Sequence, residues 1–97
     1  MAAAKDSRKF HEDFALWGLA ETRRWLPAAH SMNCGHALES AVKAARHLAA
    51  ARAHLASLGT KPGPRTRKLW GVVSRREKDV RAALDHLLRG CLARTAR

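Results

Sequence analysis

Apolar residues recur at helical spacing in three stretches of this chain. In the first, Phe10, Phe14 and Trp17 stand at i, i+4 and i+7, and Trp25 extends the stripe. Leu16, Leu19 and Leu26 fall on another side. This predicts a helix from about Ser7 to Leu26, capped by Ser7 or Asp6, with residues 1–6 a disordered N-terminus. Its wide apolar arc implies two packed neighbours. Pro27 ends it, because the residue before a proline is pushed out of the α region.

The second stretch predicts a helix over about 34–58. Leu38, Ala41, Ala45, Leu48, Arg52 and Leu55 step by three and four along it. Asn33 is its expected cap, with Ser31 the alternative, and Gly59 suits the left-handed residue that closes a helix. The third stretch, about 66–92, carries Leu69, Val73, Arg76, Val80, Ala83, Leu87 and Cys91, broadened by Leu84 and Leu88. Ser74 and Glu77 match a capping box, so a kink near residue 74 is one option. Residues 59–66 hold two prolines and two glycines and form the linker.

Three helices with short connections predict an all-α, antiparallel, up-down-up bundle, one domain over 7–93. Composition agrees. Twenty alanines favour helix, and few valines and threonines with no isoleucine leave little for strands. The alternative is a helical hairpin that completes its core by oligomerising through the first helix.

Charge changes the picture more than composition does. Residues 1–39 are neutral and residues 77–97 carry +2. The 37 residues from 40 to 76 carry +9 and no acid at all. The second helix offers Lys43, Arg46, His47 and His54 on one side. The linker and the start of the third helix add Lys61, Arg65, Arg67 and Lys68. A helix start also presents free N–H groups and a positive dipole end. These features point to a polyanion, DNA or RNA, held by its phosphate backbone without sequence preference. Trp70, beside Lys68, is a candidate for base stacking, although a tryptophan near a helix start is more often core. Arg52 and Arg76 fall on apolar seams and are set aside as packing or ion-pairing residues.

Other chemistry is sparse. His30, Cys34, His36, His86 and Cys91 would gather at one pole of such a bundle. Their spacing fits no zinc signature, so no metal and no cofactor is expected. The two cysteines make no disulfide framework, Cys91 is read as a small buried hydrophobe, and a Cys34–Cys91 disulfide is the minor alternative. No secretory leader or 18-residue apolar run is present, which predicts a cytoplasmic protein with no membrane contact. No carboxylate pair, nucleophile triad or phosphate loop stands in the chain, so an enzyme is not expected.

Two resemblances bear on function. Arg81 and His86 resemble the Arg-x(4–6)-His element of the HEPN helical ribonucleases, which implies action on an RNA backbone. The likeness covers six residues, and Ala82 stands where a polar residue usually follows the arginine. In size, helicity and basicity the chain is also similar to the small helical subunits of CRISPR effector complexes. That implies an interaction subunit of a ribonucleoprotein or mobile-element complex. Burial separates the readings: buried tryptophans favour an autonomous nucleic-acid module, and an apolar face left open on the first helix favours a subunit.

Overall fold

Helix formers dominate the chain, and three long helices result. The computed structural model describes residues 2–59 and 63–92. Helix α1 spans Ala2–Trp25, α2 Cys34–Ala56 and α3 Pro64–Leu87. A 3-10 helix, Pro27–His30, links α1 to α2, and a π-helical turn, Leu88–Leu92, follows α3. Consecutive helices run antiparallel, because Thr22 meets Ala44, His11 meets His54 and Arg52 meets Glu77. The protein is an all-α three-helix bundle.

The helix ends follow local chemistry, with some shifts. Helix α1 starts at Ala2, not at Ser7, so residues 2–6 are helical rather than disordered. The Ala2–Ala4 run has the highest helix propensity and extends the helix past Asp6 and Ser7. Leu26 keeps α geometry, and Pro27 takes the first position of the 3-10 helix, where its missing N–H costs nothing. Asn33 caps α2 by accepting the N–H of His36 at 3.0 Å, and Ser31 accepts the N–H of Asn33 at 3.1 Å. Gly59 follows the far end of α2 at φ 81°, the left-handed region expected of it. Helix α3 starts at Pro64, two residues early and again with proline first, and runs unbroken through Ser74.

The central core is Ala15 and Leu19 of α1, Ala44, Leu48, Ala51 and Leu55 of α2, and Leu69, Val73 and Val80 of α3. A second cluster near the α1–α2 turn holds Ala29, Ala37, Ala41, Ala83, Leu87 and Cys91. Leu69, Val73, Val80, Ala83, Leu87 and Cys91 of the third stripe are buried as expected. Leu84 and Leu88, expected to broaden it, are exposed, because α3 and the turn after it present only a narrow face to their neighbours. Helix α1 does not bury the stripe expected of it. Phe10, Phe14 and Trp17 are 51%, 45% and 56% exposed. The face that packs is the small one: Ala15, Gly18, Leu19 and Thr22. A Cβ on Gly18 would lie 2.9 Å from the His47 carbonyl oxygen and 3.2 Å from the Ala51 Cβ. The Thr22 hydroxyl donates to the Gly18 carbonyl at 2.8 Å and lies 3.4 Å from the Ala44 carbonyl. Bulky rings cannot enter so close a contact, so the aromatic stripe is turned outward. In α2 the seam is likewise rotated. Leu38 is exposed, Ala37, Ser40, Ala41 and Ala44 are buried, and Arg52 lies outside the core, paired with Glu77 at 3.5 Å.

The cysteines correct a second expectation. Cys34, at the start of α2, and Cys91, in the π-helical turn, form a disulfide with a Cα–Cα distance of 5.6 Å. The pole shared by the start of α2 and the turn after α3 brings them together, although 57 positions separate them in sequence. The chain-entropy model gives about 4 kcal/mol for closing such a loop.

Two outcomes follow for stability. Gly18→Val should destabilise the fold by about 1–3 kcal/mol through overpacking at the α1–α2 contact. Gly71→Ala, with nothing within 4 Å of the added methyl, should instead stabilise it by about 0.5–1 kcal/mol. Urea unfolding of both variants checks the pair. Reduction, or Cys34→Ser, should lower stability by about 2–4 kcal/mol. An unchanged midpoint would mean that the packing of Ala29, Ala37 and Leu87 alone holds that pole.

Candidate nucleic-acid interface

Helix geometry places Lys43, Arg46, His47 and His54 within an arc of about 100° on α2. This flank borders the exposed stripe of α1. Lys43 reaches Glu39 at 3.1 Å, and its Nζ stands 4.3 Å over the Trp25 ring, a cation–π contact. His47 meets the edge of Trp17, ring centroids 5.2 Å apart. His54 stacks on Phe14 at 5.2 Å and 29°. Its Nδ1 shares a hydrogen bond with His11 Nδ1 at 2.9 Å, one ring donating and the other accepting. Arg46 is exposed and has no ion pair among the described residues.

The second predicted group sits at the pole where α1 and α3 begin. Lys61 lies outside the described residues. Arg67 and Lys68 are exposed, again with no ion pair among the described residues. Arg65 is committed elsewhere: its guanidinium donates to Asp13 at 2.8 Å and stands 3.9 Å from Glu12. Glu12 is only 5% exposed and accepts the Thr66 hydroxyl proton at 2.5 Å, while Arg8 donates to that hydroxyl oxygen at 3.3 Å. The first turn of α3 thus already holds an anion. The Glu12 carboxylate takes the favourable place at the dipole end that a phosphate was expected to use. Trp70 is half-buried against the central core, which suits packing better than stacking.

The structure therefore does not gather the seven described residues of this set into one patch. It leaves a cationic flank on α2 beside the rings of α1, and a separate pair, Arg67 and Lys68, at the start of α3. Arg76 is half-buried and pairs with the exposed Asp79 on its own helix at 2.9 Å, an ion-pairing role of the kind its place on the seam suggested.

At the opposite pole the His30 and His86 rings lie 5.1 Å apart, and His36 is exposed. Both sulfurs are joined to each other, so neither Cys34 nor Cys91 is a thiolate ligand here. Among the described residues no group of three or more His, Cys, Asp or Glu side chains is placed to hold a metal ion. Arg81 and His86 stand about 140° apart around α3 and face different neighbours. Arg81 borders the groove between α2 and α3, and His86 meets His30.

Two surfaces escaped the sequence reading. One is the outward stripe Phe10, Phe14 and Trp17, with His11 beside it. The spacing of Ala15, Gly18 and Thr22, small residues at i, i+3 and i+7, was the signal that α1 packs on that face instead. The other is a shallow aliphatic groove between α2 and α3, formed by Ala45, Ala49, Val80 and Leu84 with the Arg52–Glu77 pair at its side. Leu38 and Val42 are exposed on α2, and Leu88 is exposed at the start of the π-helical turn.

Among the described residues no helix is long and apolar enough to cross a membrane. Comparison of the chain with protein-family models, curated protein sequences and solved structures returns no match, so the reading of this surface rests on its own geometry.

Proposed function

We propose that this protein binds nucleic acid, DNA or RNA, through the phosphate backbone and without sequence preference, using the outer flank of α2 and the segment around residues 59–68. The observation that carries this reading is the 37-residue stretch without an acid, which supplies nine of the chain's cations. Within it Arg46, Arg67 and Lys68 are exposed and unpaired among the described residues. Cations so placed exchange their own counterions and those of the phosphates on contact, which makes affinity strongly salt-dependent. The role is binding rather than catalysis.

A second reading is supported by the apolar surface. Trp17 is exposed, and the α2–α3 groove presents aliphatic side chains of the kind a protein helix covers. By the burial criterion these features favour a helical interaction subunit of a larger ribonucleoprotein or mobile-element assembly, or a homo-oligomer. In that assembly the cationic flank would line the nucleic acid. Location belongs to the same proposal. The cytoplasm supplies the ligand but keeps thiols reduced, and the Cys34–Cys91 disulfide argues for an oxidising compartment. Alkylation of free thiols in intact cells decides between them.

A salt titration tests the main reading. Changing Arg46, Arg67 and Lys68 together to glutamine should flatten the log–log salt slope of duplex binding by about 3. Absence of binding at low salt would exclude the nucleic-acid function. An unchanged slope would exclude these three residues as its carriers.

A further inference from the structure

The aromatic stripe and the cationic flank are edges of one groove, the outer seam between α1 and α2. Phe10 and Phe14 lie 4.6 Å apart, and Phe14 stacks on His54. Trp17 follows with His47 at its edge, and Trp25 with Lys43 over its face and Arg24 at 5.5 Å from its ring. From Phe10 to Trp25 the row is about 22 Å long at the helical rise. Acids along this seam are matched. Asp13 is held by Arg65 at 2.8 Å, Glu21 lies 3.6 Å from Arg24, and Glu39 lies 3.1 Å from Lys43. Arg46, exposed and without an ion pair among the described residues, then leaves the seam positive.

Phosphate binding alone has no use for half-exposed phenyl and indole rings. An acidic protein helix would be met as well by leucines, as in the α2–α3 groove. Rings in a row beside cations suit one ligand better: a chain of flat bases strung on a charged backbone. We propose that the α1–α2 seam binds single-stranded nucleic acid, with bases stacked on Phe14 and Trp17 and the backbone following Arg46, His47 and Lys43. Phe10 and His11 extend the platform toward the start of α1. A duplex keeps its bases paired inside and cannot use these rings, so the seam prefers single strands. This inference rests on the nucleic-acid reading above and specifies the form of the ligand.

The test uses the full-length protein and three fluorescein-labelled probes of equal charge: an oligothymidine, an abasic oligomer of the same length and a duplex. Oligothymidine should bind tightest and quench tryptophan emission. Phe14→Ala with Trp17→Ala should weaken its binding by about 5-fold or more per lost stack, leaving abasic and duplex binding and the salt slope unchanged. Trp17→Phe should restore part of the affinity. Both positions are exposed, and circular dichroism is the check that the variants stay folded. Equal, salt-dependent binding of oligothymidine and the abasic oligomer by the wild-type protein overturns the stacking proposal and leaves the backbone reading standing. No binding of any probe overturns both. If the double variant instead loses affinity only for an acidic amphipathic peptide, the seam is a protein-docking face and the proposal fails.

Discussion

The close approach of α1 to α2 at Gly18 governs much of what this protein presents to solvent. With the His47 carbonyl 2.9 Å from where a side chain would begin, only the small face of α1 can lie there. Ala15 and Thr22, one turn to either side, are fully buried, and Thr22 satisfies its hydroxyl within the contact rather than exposing it. Fixing that face fixes the rotation of the helix. The phenyl rings and the indole of Trp17 then fall on the seam with His47 and His54, and the residues that border the cationic flank are chosen by a contact that contains none of them.

The two poles are held by different means. Where α1 and α3 begin, a buried carboxylate, Glu12, is satisfied by the Thr66 hydroxyl and faces Arg65, while Asp13 takes the other end of that guanidinium. A buried acid without such partners would be costly, so these contacts are obligatory to one another. Where α1 ends, the Cys34–Cys91 bond ties the entry of α2 to the exit of α3. Arg65, which composition counts as a free cation, is a structural residue, and net charge overstates what remains for a ligand.

The helical class, the turns and most of α3 were legible from local signals: propensity, the Asn33 cap, Gly59, and the Leu69–Val73–Val80–Leu87 stripe. The rotation of α1 was not. Periodicity treats Phe10, Phe14 and Trp17 as core because rings are large and apolar, yet a close helix contact is decided by what is small. Charge segregation located the basic third, but pairing is a three-dimensional property: Asp13 lies 52 positions from Arg65. The shared pole of Cys34 and Cys91 was legible from the up-down-up topology, but two cysteines 57 positions apart carry no spacing signal that says they are bonded.

The disulfide has a topological consequence. The covalent ring it closes contains α2, the linker and α3, and leaves α1 wholly outside. Helices α2 and α3 therefore remain tethered to each other through any partial opening. Helix α1 is attached to them covalently at one end and otherwise by non-covalent contacts: its packing, the His11–His54 bond and the Glu12, Asp13, Arg65 and Thr66 cluster. Local unfolding has a preferred unit, the first helix, and that unit carries every exposed ring of the seam. In the oxidised protein, the aromatic stripe can separate from the scaffold while the scaffold itself stays closed.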